Sequence, residues 1–125
     1  VSRSRSVLIV DRSEDTREVL RTALARRGLE AMCFERADDG LRFARQHHPG
    51  LIVLDLEVAD PSQPELSAGF AQHSQADQAP LVLLGTARRD AFPAPGSEFV
   101  GKPYHYGPLV RKIEELLEPA AAERG

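Results

Sequence analysis

Three short apolar runs constrain the fold of this chain more than any other feature: VLIV at Val7 to Val10, LIVLDL at Leu51 to Leu56, and LVLL at Leu81 to Leu84. None alternates apolar with polar residues. A strand with one solvated face must alternate, so near-continuous Val, Ile and Leu calls for strands covered on both faces, as in a parallel sheet with helices above and below. The segments between the runs change to a helical period. Ser13 can cap a helix with Glu14 and Asp15 in its first turn, and Val19, Leu20, Ala23 and Leu24 make one apolar stripe that Gly28 ends. A weaker strand at Leu29 to Glu35 precedes a helix, DDGLRFARQHH, with Leu41, Phe43 and Ala44 facing inward, which stops before Pro49 and Gly50.

A third, poorly amphipathic helix is expected from Pro64 to Ala76 on Leu66, Phe70 and Ala71. SEFVGKP supplies a fifth strand, and Leu109 to Leu117 a final helix on Leu109, Val110, Ile113, Leu116 and Leu117. The rhythm breaks at Ala87 to Ser97, where two prolines and a glycine predict a loop in place of a helix. Strands and helices in alternation with right-handed crossovers give a doubly wound parallel sheet, with functional groups gathered beyond the carboxyl ends of its strands. Asp11, Asp55, Thr86 and Lys102 all fall at such ends.

With 125 residues and a formal charge of -3, the chain suits one domain that buries roughly two-thirds of its unfolded surface. That domain is expected at residues 7–118, between a tail at 1–6 and a tail or linker at 119–125. The start at Val1 and the ending EPAAAERG read as a piece of a longer protein. The basic residues are scattered, which argues against nucleic-acid binding by this chain. No apolar stretch approaches the ~20 residues of a membrane span, and no signal-peptide pattern follows VSRSRS, so a cytoplasmic location is expected. The single cysteine, Cys33, excludes an internal disulfide and reads as a small core residue. His47 and His48 before Pro49 read as a helix ending rather than a metal site, and His73 as lying alone on a polar helix face.

From about Val7 to Leu117 the chain resembles the receiver domain of two-component response regulators, the chemotaxis-regulator type of flavodoxin-like fold, for which five parallel strands in the order 2-1-3-4-5 are expected. The resemblance rests on VLIVD...TREVL with Asp11 and Arg17, on PGLIVLDL with Asp55, on PLVLL, and on FVGKP with Phe99 and Lys102. It implies phosphoryl transfer from a histidine kinase to Asp55, with Mg²⁺ held by acids after the first strand, by Asp55 and by the carbonyl of Glu57. It also implies that Lys102 neutralises the transferring oxygens and that Phe99 is the aromatic switch residue.

The chain departs from that pattern in four places. The acid pair after the first strand is Asp11 followed by Arg12, a cation in place of a ligand. At about 4 Å and an effective dielectric near 20, a unit pair is worth about 4 kcal/mol, so Mg²⁺ binding should be badly weakened. Arg12 is expected to pair with Asp55 or Asp11 in a pocket shared with Lys102; the alternatives are that it points into solvent or that Glu57 swings in as a replacement ligand. Gapless counting puts Gly85 at the switch-hydroxyl position, with Thr86 one residue later. The Met-Pro and glycine that follow the acceptor in the family are replaced by EVADPSQPE, and the helix between strands four and five is missing.

The reading is a receiver-type signalling domain with weakened or lost phosphorylation, acting as a protein-interaction module and not as an enzyme. An ordinary phosphorylatable receiver is the alternative. A small aspartate-based phosphatase is more remote, because LIVLDLE has Glu57 where that chemistry needs a second aspartate. Expected partners are a histidine kinase or other signalling protein, or a second copy of the chain, through a surface that includes Tyr104, His105 and Tyr106.

Overall fold

The computed structural model describes residues 5–58, 63–86 and 96–118. The elements follow in the order β1 (Ser6–Val10), α1 (Glu14–Ala25), β2 (Glu30–Phe34), α2 (Ala37–His47), β3 (Leu51–Asp55), α3 (Pro64–Asp77), β4 (Leu81–Gly85), β5 (Glu98–Gly101) and α4 (Tyr106–Leu117). All neighbouring strands pair in parallel, as the apolar runs predict, and the sheet runs β2-β1-β3-β4-β5, the order expected of the flavodoxin-like type. The described residues hold four helices and none between β4 and β5. Residues 87–95 of the expected irregular connection lie outside the described residues.

The continuous strands are continuous because both faces are covered. Val7 and Ile9 of β1, Leu51 and Val53 of β3, and Val82 and Leu84 of β4 face α1 and α4, where Leu20, Leu24, Val110 and Ile113 complete one core. The intervening residues Leu8, Val10, Ile52, Leu54, Leu81 and Leu83 face α2 and α3 and pack on Ala37, Leu41, Ala44 and Phe70. The edge strands β2 and β5 are only partly covered, which accounts for their weaker apolar signal. Ser13 caps α1 by accepting the Thr16 N–H at 3.2 Å, and His48 ends α2 in the left-handed conformation at φ 50°. Cys33 is half-buried, donates to the Arg17 carbonyl at 3.8 Å, and has its thiol pKa raised by burial.

Two sequence expectations need correction. Val19 is exposed, at 40 %, and not part of the inward stripe. The buried face of α1 is centred on Leu20 and Leu24, and at 100° per residue Val19 falls just past its edge. His73 is not alone on a polar face: it is buried between α3 and the end of α2, with its ring stacked on His48. Among the described residues no helix is long and apolar enough to cross a membrane.

Candidate phosphoryl-acceptor site

Parallel strands bring their carboxyl ends to one edge of the sheet, and three of these ends carry the site. Asp11 follows β1, Asp55 ends β3, and Lys102 follows β5. Both carboxylates are 2 % exposed, and each is fixed by a backbone N–H two residues ahead. Ser13 N–H donates to Asp11 Oδ1 at 2.8 Å, and Glu57 N–H to Asp55 Oδ1 at 2.9 Å. These bonds replace water for groups that would be costly to bury unsatisfied. The sheet ladder runs past Asp55, since Leu56 N–H bonds the Leu84 carbonyl at 2.8 Å.

Lys102 is held at both ends. Its backbone N–H donates to the Gly85 carbonyl at 2.8 Å, and its Nζ lies 3.0 Å from Asp55 Oδ1 and 3.7 Å from Glu57 Oε2. Burial works against the ammonium, but the hydrogen bond and charge of Asp55, with Glu57 and Asp11 behind it, prevail and hold its pKa above the ordinary lysine value. Asp11 moves in the direction of neutrality. Burial raises its pKa, the Ser13 N–H opposes this, and the charge of Asp55 adds to the rise while Lys102 subtracts from it. The following Lys102–Pro103 peptide is cis.

Arg12 is not paired with Asp55 or Asp11. Its side chain is exposed, makes no ion pair among the described residues, and donates from Nη2 to the Glu57 carbonyl at 3.4 Å. Two contacts explain the direction it takes. Asp11 is turned inward by the Ser13 bond, and Arg17 Nη1 clamps the carbonyls of Asp11 at 2.7 Å and Arg12 at 3.3 Å, so the backbone at Arg12 is fixed with its side chain outward. Glu57 is also exposed and turns its carboxylate towards Lys102, at the rim and not inside. A cleft of about 250 Å³ joins Asp11, Arg12, Asp55, Glu57 and Lys102 with Thr16 and Tyr104.

Gly85 is the register partner of Gly101, immediately before Lys102, and brings no hydroxyl to the site. Thr86 is exposed and lines a neighbouring cleft with Pro103, Tyr104 and Tyr106; it is absent from the lining of the one that holds Asp55. Phe99 is half-buried on the α2–α3 side of the sheet, in register with Leu83. Tyr104 and Tyr106 are half-buried against the other core, edge to face at 5.7 Å, and the Tyr106 hydroxyl meets Thr16 Oγ1 at 3.3 Å. His105 between them is exposed. Sequence reasoning missed Thr16 as a lining residue and the brace by Arg17. Arg17 stood in the motif that carries the resemblance but without a role, and the signal for Thr16 was its position in the first turn of α1, directly after the site loop.

No family model matches the chain. It is 27% identical over 121 residues to the transcriptional regulatory protein GltR of Pseudomonas aeruginosa, covering 93% of this chain and 50% of that one. To the polar-differentiation response regulator DivK of Brucella ovis it is 23% identical over 127 residues, covering 94% and 99%. The chain spans about half the length of GltR and of two further curated relatives, KdpE of Escherichia coli and AfsQ1 of Streptomyces coelicolor. Among solved structures, a response regulator protein from Burkholderia multivorans superposes with a TM-score of 0.71 at 29% identity, covering 97% of this chain and 99% of that one. The chemotaxis protein CheY4 of Vibrio cholerae superposes with a TM-score of 0.72 at 22% identity, covering 93% and 100%.

Proposed function

We propose that this chain, a receiver-type domain of the two-component response-regulator class, has Asp55 as its phospho-acceptor position but has lost most of its dependence on Mg²⁺, and that it serves chiefly as a protein-interaction module. The observation that carries the proposal is Arg12 Nη2 donating to the Glu57 carbonyl, the oxygen that the receiver resemblance assigns to the metal. A guanidinium at that oxygen, at 3.4 Å, disfavours a dication on the same carbonyl because the two positive charges repel. It also adds an exposed positive charge where the family pattern has a second acid, which repels a dication there, though solvent screens the effect. Two inward carboxylates are an ordinary set for Mg²⁺, but here Asp55 is bonded to Lys102 and the rim carboxylate of Glu57 is turned towards that same lysine, so the ion would compete with an ammonium already in place.

The positioning of Asp55 is intact. Glu57 N–H and Lys102 Nζ hold Oδ1, and Lys102 is the cation that would meet the transferring oxygens. This pair favours the second reading, an ordinary phosphorylatable switch, and the same experiment separates the two. The partners that fit a receiver-type domain are a histidine kinase or other signalling protein, or a second copy of the chain, and the proposed location is the cytoplasm. The proposed contact face runs from the edge strand β5 to the start of α4, where His105 is exposed and Tyr104 and Tyr106 are half-buried.

The test is a Mg²⁺ titration followed by NMR, together with labelling by a small acyl-phosphate donor read by intact mass, on the native chain and on Arg12→Asp. The native chain should label slowly and with little response to Mg²⁺, and Arg12→Asp should gain a Mg²⁺ site and label faster. Ready labelling of the native chain at millimolar Mg²⁺ defeats the proposal and leaves the ordinary switch.

A further inference from the structure

At the opposite edge of the sheet, the ends of α2 and α3 bring together a cluster that the receiver reading does not use. His48 is the C-cap of α2, three residues before β3, and His73 and Asp77 lie one turn apart at the end of α3, before β4. His48 Nδ1 is 2.7 Å from Asp77 Oδ2, and His73 Nε2 is 3.1 Å from the same oxygen. One ligand atom from each residue lies within 4.8 Å of the others. The His73 contact is not aligned as a hydrogen bond, so Nε2 is a buried nitrogen without a hydrogen-bond partner, on a residue 8 % exposed. A buried polar atom left in this state normally has an ion or water to satisfy it.

We propose that His48, His73 and Asp77 form a binding site for a borderline divalent transition ion, Zn²⁺ foremost, which ties the C-terminal end of α2 to that of α3. Two imidazoles and a carboxylate suit zinc and its neighbours, whereas Mg²⁺ asks for oxygen alone. In a tetrahedral site with bonds near 2.0–2.1 Å, ligand atoms stand about 3.3 Å apart; the observed 2.7 and 3.1 Å need to open by tenths of an ångström, and the two imidazole nitrogens, within 4.8 Å of each other, need to draw in towards the same spacing, a movement that the exposed His48 side chain permits. His48 is 63 % exposed at its side chain, which leaves the fourth position facing solvent for a water or a partner's ligand.

The surroundings favour a cation. The negative ends of two helix dipoles meet at the cluster. Burial disfavours protonation of His73 more than Asp77 promotes it, which keeps its lone pair free. Arg45 is the opposing charge; its head reaches Gly69, one turn before His73. His47 is turned away and stacks on Phe43 at 4.4 Å.

The probes are Zn²⁺ and Co²⁺, with Mg²⁺ as control, added to the native chain and to His48→Asn and Asp77→Asn. Asparagine accepts the left-handed conformation that residue 48 requires, so the fold is retained and is checked by circular dichroism. Expected results are one equivalent of Zn²⁺ that shifts the ring resonances of His48 and His73, a tetrahedral Co²⁺ absorption, no response to Mg²⁺, and at least about tenfold weaker Zn²⁺ binding in each variant. The absence of Zn²⁺ binding at micromolar concentration, or undiminished binding in both variants, overturns the proposal.

Discussion

Gly40, at the end of the first turn of α2, is a position where an ordinarily favourable substitution should fail. In an exposed helix interior Gly→Ala gains about 1 kcal/mol. Here a Cβ would stand 2.6 Å from Cγ2 of Val10 and 3.7 Å from its Cβ and Cγ1. Val10 is fully buried in a central strand between Phe34 and Leu54, and its branched side chain has little rotamer freedom with which to withdraw. Overpacking costs about 1–3 kcal/mol, and a contact this short belongs at the upper end, so Gly40→Ala should lose a net of about 2 kcal/mol. In urea, with a slope near 2 kcal/mol per molar, the midpoint falls by about 1 M without a change of slope. Val10→Ala alone should cost roughly 2 kcal/mol for two lost methyl groups and the void they leave. In the double variant the new methyl at position 40 enters that void, so the pair should be less destabilised than the sum by about 1–2 kcal/mol. Denaturation of the four proteins, followed by circular dichroism, measures the cycle. Additivity within about 0.5 kcal/mol, or a stabilising Gly40→Ala, refutes the packing argument.

Two pH-dependent outcomes follow from the site. Asp11 binds its proton more tightly in the folded chain than in the unfolded one, so its contribution to stability is present below the ordinary aspartate value of 3.8 and is lost as pH rises through the raised folded value. Asp11→Asn, which keeps an oxygen for the Ser13 N–H, should therefore be more stable than the native chain at pH 7, with the difference shrinking towards the ordinary aspartate value. Equal destabilisation at both pH values contradicts this. Tyr104 is pushed up to about 12 by burial first and the charge of Asp11 second, so an alkaline absorbance titration should show a late phenolate step that Tyr104→Phe removes. Ionisation of Tyr104 at the ordinary value of 10 would contradict its burial beside the acids.

The framework was legible in the sequence because it depends on period and punctuation. Continuous apolar runs gave the covered strands, and Ser13 and Gly28 marked the start and end of the first helix region. Direction was less legible. Val19 and Leu20 are equally apolar, and only the rotation of α1 against the sheet decides which one is buried. In α3 the buried face is built largely from Gly69, Phe70 and Ala71, so it offers little contrast in hydropathy. His73 consequently read as polar and solitary although it is buried.

Charge was legible at the site, but geometry was not. The sequence shows Arg12 beside Asp11 and allows an ion pair; the Ser13 bond and the Arg17 clamp turn the two side chains apart. The register of β4 on β5 places Gly85 against Gly101, a relation between strands separated by a dozen residues that counting along the chain can suggest but cannot fix.

This register bears on how the domain could respond to a charge placed on Asp55. On the proposed reading, no hydroxyl at Gly85 can follow a phosphoryl group, and Thr86 lines a different cleft. Lys102 is the charged group that touches Asp55 directly; its backbone is tied to Gly85 of β4, while its ammonium is held by Asp55 and Glu57. Beyond Pro103, Tyr104 lines both clefts and Tyr106 meets Thr16 at the start of α1. A change of charge at Asp55 would then be expressed through Lys102 and Tyr104 at the beginning of α4, and not through Phe99, whose ring is packed on the opposite face of the sheet. A partner that reads this domain, whether or not Asp55 is modified, would find its signal at the Tyr104–Tyr106 segment.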